Sequence, residues 1–474
     1  MSKTYRPYNP DQQLLMPPSL REWLPNDHLA YFVSDTVDEL DLSAIEAVYE
    51  RSLRGSPPYH PRMMVKLLTY AYCVGVYSSR RIAGKMVDDV AFRVLAGGCS
   101  PDFRTISDFR KDHLQALSGM FLQILLLCEK AGMVKLGHVA LDGTKLKANA
   151  SKHKAMSYSR MKDESARLSG EIAKLLELAE RTDEEEDEKY GKDVRGDELP
   201  KELAFREGRR AKIRQAMAEL EAEAKAEAGL AGDAPEADTP EQERSPGKGG
   251  RPKKKPDGVP DDKAQRNFTD PESRIMKSAD KSFIQGYNAQ AAVDSEYQVI
   301  VAAAVTRQAS DSPHTEPVVE MIEDNLGRSP DEMSLDAGYF SEPNVEYLEG
   351  KGIDAYMPPC RLKHSEYKTA VAEPVTQESS VRDRMKSKVL TNEGRKKYGL
   401  RKETVEPVFG QIKSCRGFRG FSMRGLEKCD GEWSFICSAH NLLKLAKHRL
   451  AAMTKHAKQY GESAITPDRR LYAV

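Results

Sequence analysis

Apolar residues recur at helical spacing through the first 130 positions of the chain. The segment PNDHLAYFVSDTVDEL predicts an amphipathic helix capped by Asn26 or Asp27. After the loop RGSPPYHPR a second helix starts past Pro61, with Met64, Leu67, Leu68 and Tyr72 on one face. SSRRIAGKMVDDVAFRVLAG fits a helix–turn–helix, and 105–130 predicts one further helix that ends near Gly132. At 138–141 the period changes to a short apolar β-type run that stops at Asp142-Gly143. Residues 155–230 predict two long charged helices in an antiparallel hairpin, with Leu168, Ile172, Leu175, Ile213, Met217 and Leu220 as its apolar seam. Pro, Gly and charge dominate 231–265, a flexible basic linker. Two strands joined by a turn at Asp294-Ser295 follow at 284–306. Next come a helix (314–326), a strand into SLDAGYF, a helix (343–351) and a strand at 354–359. A basic loop over 360–395 leads to a helix over 395–413 and a long closing helix. Strands alternating with helices in this order predict an α/β fold with a mixed sheet.

Composition narrows the class. A chain of 474 residues with 39% hydrophobic and 31% charged residues can build a sizeable core, so wholly disordered and collagen-like readings are excluded. The longest apolar stretch, Met120 to Cys128, is too short to span a bilayer, and the first ten residues lack a signal-peptide core. Seven scattered cysteines do not form a secreted disulfide framework, so a cytoplasmic protein is expected. Net charge is zero, but it is unevenly spread: 161–243 holds 14 basic and 25 acidic residues, whereas 381–474 holds 21 basic and 9 acidic. That local positive field suits a polyanionic partner.

Candidate chemistry sits at three places. Asp142 in VALDGT and Asp336 in MSLDAGY each follow an apolar run beside a Gly turn, where a carboxylate can hold a cation. Glu406 lies on a helix with Lys413 two turns on and Arg401, Lys402 and Arg416 nearby. Each alone reads as an ordinary turn or a salt-bridged helix face. Together, three carboxylates on two strands and a helix suffice to hold two Mg²⁺ ions for in-line displacement at phosphorus. Within the linker, KGGRPKKKP sets Arg251 between Gly250 and Pro252, a form that fits a narrow A·T minor groove, with a plain basic linker as the alternative. Cys437 and His440, with Cys415 and Cys429, have zinc-compatible identities but read as packing residues on an apolar helix, as does Trp433. There is no G-x-S-x-G and no G-x₄-G-K-[ST], so serine-triad chemistry and ATP use have no support.

At this point the chain resembles the bacterial insertion-sequence transposases of the DDE type. The segments YRPYNPDQQLLMPPSLREWLPNDHLA, SPPYHPRMMVKLLTYAYCVGVYSSRRIA and FRTISDFRKDH resemble that group's helical N-terminal domain. LDGTKLKANAS, GYNAQAAVD, SLDAGYFS and TVEPVFGQIK resemble its core motifs. The resemblance implies a ribonuclease-H-like mixed sheet with flanking helices, preceded by an all-helical domain and interrupted by the helical hairpin. The implied parts are 1–132 for DNA binding, 133–154 and 266–450 for the catalytic core, 155–230 for the insertion, 231–265 for the linker and 451–474 for a tail. It implies Asp142, Asp336 and Glu406 as catalytic and metal-holding residues, with two Mg²⁺, replaceable by Mn²⁺. Related enzymes carry a signature of Tyr, two residues, Arg, three residues, Glu, six residues, Lys. Here Tyr398, Arg401, Glu406 and Lys413 match, except that four residues separate Arg401 from Glu406. Lys402 could then stand for the Arg, and Glu403 is a rival carboxylate. Tyr398, Arg401, Lys402, Lys413, Arg416 and Arg251 are the implied DNA contacts. The implied activity is cleavage at the element's terminal repeats and joining of the 3′-hydroxyl to target DNA, by a homo-oligomer at the nucleoid, without ATP or membrane. Two rivals are a metal-dependent nuclease that does not join, and a non-catalytic DNA-binding relative.

Overall fold

A computed structural model of the chain describes residues 19–50, 57–190, 201–231, 258–278, 280–360 and 379–460. Arg251 and the KGGRPKKKP motif, most of the 231–265 linker and the end of the tail lie outside the described residues.

Among the described residues, a 3-10 turn at Leu20–Trp23 and seven α-helices open the fold: α1 (Leu29–Glu39), α2 (Ser43–Glu50), α3 (Pro61–Cys73), α4 (Ser79–Asp88), α5 (Val90–Leu95), α6 (Phe103–Asp112) and α7 (Leu114–Lys130). The cap of α1 is His28, not Asn26 or Asp27: its Nδ1 accepts from Ala30 N at 3.1 Å. The single helix expected over 105–130 is two, broken at His113 (φ −109°, ψ 18°). Each helix buries its own apolar residues, Ile106 and Phe109 on α6 and Leu117, Phe121 and Ile124 on α7.

Strand β1 (His138–Lys147) runs on through Asp142-Gly143 instead of turning there. Nine residues of β1 pair with β5, from Val139↔Asp294 to Lys147↔Gly286. That ladder overrides the local turn preference of Asp-Gly. Strand β2 (Ala155–Ser157) leads into α8 (Tyr158–Tyr190), α9 (Lys201–Ala231) and β3 (Gln265–Asn267). The α8–α9 hairpin is antiparallel, as Glu164–Arg209, Glu171–Arg206 and Tyr158–Glu221 contacts show. Its seam holds Met161, Leu168, Ile213, Ala216 and Leu220. Pairing of β2 with β3 closes its base, so the insertion ends in a strand rather than in a free linker.

The remaining strands are β4 (Arg274–Lys277), β5 (Phe283–Asp294), β6 (Ile300–Thr306), β7 (Glu332–Leu335) and β8 (Asp354–Tyr356). Between and after them come α10 (Thr315–Leu326), α11 (Glu342–Gly350), α12 (Val381–Leu390), α13 (Asn392–Gly410) and α14 (Leu426–Tyr460). Part of the expected 360–395 loop is thus helical, with α12 capped by Ser380 and α13 by Thr391. The tail expected from 451 continues α14 to Tyr460. Among the described residues the main sheet has six strands, in the order β4-β5-β1-β7-β8, with β6 also on β5. The pairs β1–β5, β5–β6 and β4–β5 are antiparallel; β1–β7 and β7–β8 are parallel. Helical region and sheet share one apolar core, which runs from Leu29 and Leu68 through Leu141 and Val293 to Trp433 and Leu445. No helix among the described residues is long and apolar enough to cross a membrane.

Candidate active site

The site forms where β1, the end of β7 and α13 meet. Leu141 pairs with Leu335 in the parallel β1–β7 ladder, so Asp142 and Asp336 follow at neighbouring positions. The Oδ1 of Asp142 accepts from Gly143 N at 2.8 Å, and its Oδ2 from Arg401 Nη1 at 2.7 Å. Arg401 Nη2 reaches Glu406 Oε1 at 3.2 Å, so one guanidinium joins two of the three expected carboxylates. Asp336 lies just past β7, and Gly338 N donates to its Oδ1. The sequence alternatives resolve on α13. Arg401 rather than Lys402 binds the carboxylates, while Lys402 and Glu403 are exposed.

The extra residue between Arg401 and Glu406 is accommodated within a continuous helix. Pro407 lies inside it and has no N–H to give the carbonyl of Glu403. Gln298 Nε2 supplies that donor at 2.7 Å, pinning α13 to the β5–β6 turn. A short π-helical segment, Gln411–Cys415, follows and carries Lys413, whose Nζ donates to Thr144 Oγ1 at 2.9 Å. Burial holds the Lys413 ammonium below its ordinary range, with Arg419 adding to the effect. Tyr398 lies one turn before Arg401, with the guanidinium carbon 5.9 Å from its ring centre.

A fourth carboxylate, absent from the sequence reading, completes the arrangement. Asp311 Oδ1 accepts from Asn288 Nδ2 (2.7 Å), Lys145 Nζ (2.9 Å) and Gln290 Nε2 (3.0 Å). Lys145 stands opposite Asn288, and Gly143 opposite Gln290, in the β1–β5 ladder, so these groups share a sheet face. A Cβ on Gly143 would lie 2.5 Å from Gln290 Nε2 and 2.7 Å from Asp311 Oδ1, so glycine is what lets the network close. Gln290 Oε1 takes the hydroxyl of Tyr339, whose N–H bonds the Asp336 carbonyl at 3.1 Å. Asp311 is thereby tied to the Asp336 turn. The alternation of Asn288 and Gln290 along an otherwise apolar strand was the sequence signal for this network.

Burial pushes the Asp142 carboxyl up to about 6; Arg401 opposes this, while the charges of Asp336 and Asp311 reinforce it. Oxygen donors that crowd negative charge suit a hard divalent cation, and by this chemistry Asp142, Asp336 and Glu406 fit one. Among the described residues no three His, Cys, Asp or Glu side chains stand close enough to hold a metal ion as they are placed, and Arg401 spans Asp142 and Glu406.

One other expectation changes, that for Arg416, while the packing reading of Cys429 and Cys437 stands. Arg416 is not on a phosphate-facing surface: it is 3% exposed, with Nη2 against His440 Nδ1 at 3.1 Å and Nε bonded to Gln411 O. Cys429 and Cys437 are buried packing residues, and His440 contacts Arg416 and Gln298 O rather than a cysteine cluster. Trp433 is core, as expected, and its Nε1 donates to Gln290 O at 2.9 Å behind the site.

Two family models match the chain. Residues 18–112 match a transposase domain (DUF772), which covers α1–α6. Residues 244–442 match a transposase DDE domain, which contains Asp336 and Glu406, while Asp142 precedes the matched stretch. No curated protein and no solved structure matches the chain. With both models in chain order over the helical region and the mixed sheet, the chain carries a transposase domain followed by a transposase DDE domain.

Proposed function

We propose that this protein is the transposase of an insertion sequence, binding the element's terminal repeats, cleaving at its ends and joining the freed 3′-hydroxyl to target DNA. One observation carries the reading. Carboxylates from three distant segments, Asp142, Asp336 and Glu406, gather around Arg401 at one end of a mixed sheet in a chain that carries a transposase DDE domain. We read that sheet as a ribonuclease-H-like core.

In this reading Asp142, Asp336 and Glu406 would hold two Mg²⁺ ions, or Mn²⁺, which supply an activated oxygen nucleophile and offset charge on the leaving oxygen. Arg401 keeps Asp142 and Glu406 within one guanidinium span before DNA arrives. The Asp311–Gln290–Tyr339 chain holds the Asp336 turn. Tyr398 and exposed Lys402 on α13, with Lys413 on the π-helical segment after it, offer contacts to the DNA backbone. Water displaces one oxygen at phosphorus and leaves a 3′-hydroxyl; that hydroxyl then displaces another in the target. Neither step forms a covalent bond to protein or consumes ATP. A homo-oligomer acting on paired ends at the nucleoid completes the reading.

The test is cleavage and joining of a labelled duplex carrying the element's own ends. Wild type cuts and joins in Mg²⁺ and does neither in EDTA. Asp336→Asn binds the duplex but loses about three or more orders of magnitude in cutting, as removal of a charge-stabilising group at a phosphoryl-transfer centre does. Cutting without joined products would move the protein to the nucleases. Binding without cutting in Mg²⁺ and Mn²⁺ would leave a DNA-binding relative.

A further inference from the structure

A cavity of about 440 Å³ opens between α4, α6 and the segment before α14, away from the carboxylates. Ser79, Arg80, Phe103, Ser107, Arg110 and Ser422 are among its walls, and no carboxylate lines it. Arg80 is exposed and lies over the Phe103 ring, 5.0 Å from its centre. Arg110 is 7% exposed; its Nη1 donates to Tyr77 O and Tyr72 Oη, and its Nε has no partner. Ser79 is 8% exposed, and its Oγ has no partner either. Ser79 is also the first residue of α4, a ten-residue helix whose N-cap Ser78 makes no side-chain capping bond. The first N–H groups of a helix point at whatever sits before it and favour negative charge. Glu432, the carboxylate charge beside Arg110, is itself taken up by Ser422 N and Oγ, Met423 N and Tyr72 Oη. An uncapped helix start, two buried donors without partners and an exposed arginine therefore surround one opening.

We propose that this cavity seats a phosphate of the DNA backbone. The inference rests on the transposase reading, and it deepens it by giving the helical region a defined backbone contact. A phosphodiester supplies two unesterified oxygens. These accept from the α4 N–H groups and the Ser79 hydroxyl on one side and from the Arg80 guanidinium on the other. Such a contact fixes the register of a duplex on α4 and α6 without reading its bases.

The experiment is duplex affinity against salt concentration, for wild type, Arg80→Ala and Ser107→Asp. Both positions are half-buried or exposed, so folded variants are expected, and melting curves check this. One lost phosphate contact lowers the magnitude of the log–log salt slope by about 0.9 and the affinity roughly tenfold at 0.1 M salt, equally on all sequences. Both variants should show this loss. Wild-type slopes in both variants would overturn the proposal, as would a loss confined to one base sequence. Inorganic phosphate provides the second arm. If it raises the wild-type melting temperature but not that of Arg80→Ala, while the DNA slopes stay equal, the cavity serves a free anion and the proposal falls. If the wild type binds no duplex at any salt, the transposase reading and this inference fail together. Duplex binding with unchanged variants sinks the inference alone.

Discussion

Arg416, Lys444 and Lys447 are three cations near enough to disfavour one another's charge. Arg416 Nη1 has no hydrogen-bond partner, although the residue is almost wholly buried. Burial, Lys447 and Arg416 together push the Lys444 ammonium down to about 8, and burial and Arg416 lower Lys447 as well. Such crowding costs stability, since a buried charge without an opposite partner is disfavoured. Its pH signature has a definite sign. Between about 8 and the ordinary lysine value of 10.5 the unfolded chain holds the Lys444 proton that the folded protein has lost. Stability from this group therefore rises with pH across that window. Lys444→Met should melt above wild type at pH 7, with the gap closing towards pH 10. Melting temperatures across pH check it, and a gap that widens with pH would refute the assignment.

The α8–α9 hairpin shows how a charged element is seated. Glu223 on α9 accepts from Arg266 (2.8 Å), Arg274 (3.0 Å) and Arg307 (3.0 Å), three arginines of the core side. Arg266 is 6% exposed and also binds Glu219 at 2.6 Å. Those bonds hold the Glu223 carboxyl below the usual carboxylate range against the opposing effect of its burial. Glu223→Ala leaves Arg266 and Arg274 short of a counter-charge and should cost about 3 kcal/mol. Faster proteolysis within 155–230, at unchanged circular dichroism of the remainder, is the expected readout. An unaltered digestion pattern would mean that the apolar seam alone seats the hairpin.

At the scale of the whole molecule, the helical region and the sheet are not separable bodies. Helix α7 lies along α14, with Cys128 Sγ on Asn441 O, and Cys73 Sγ reaches Ala439 O from α3. Asn441 in turn clamps β6 through Ile300 N and O, both at 2.8 Å. Gly75, at φ +75°, brings its backbone so near Arg416 O that a Cβ would lie 2.5 Å from it. A chain that starts at residue 133 would bare the part of α14 that α3 and α7 cover and lose the Cys73 and Cys128 bonds to it. It should be insoluble or molten, with dye-binding apolar surface and no cooperative melt. A sharp thermal transition for that truncation would show that the core folds alone.

Local pattern alone determined much of this protein. Helical spacing gave α3, the α8–α9 hairpin and α14, and the strand–helix alternation gave the mixed sheet, because each follows from residues a few positions apart. Asp142 and Asp336 were legible as candidates because each ends a short apolar run at a Gly, and Glu406 because it lies on a helix among Arg401, Lys402 and Lys413. Tertiary structure decided the rest. Whether Asp142-Gly143 turns or extends depends on nine partners 150 residues away in β5. Arg401 prevails over Lys402 because α13 presents one face to β1, and Arg416 goes inward because α3 and α14 close over it. Asp311 joins the site through Lys145, Asn288 and Gln290, contacts that no spacing along the chain encodes. Periodicity carries information about which face of an element is buried, whereas a polar network depends on which faces meet, and only the packed chain settles that.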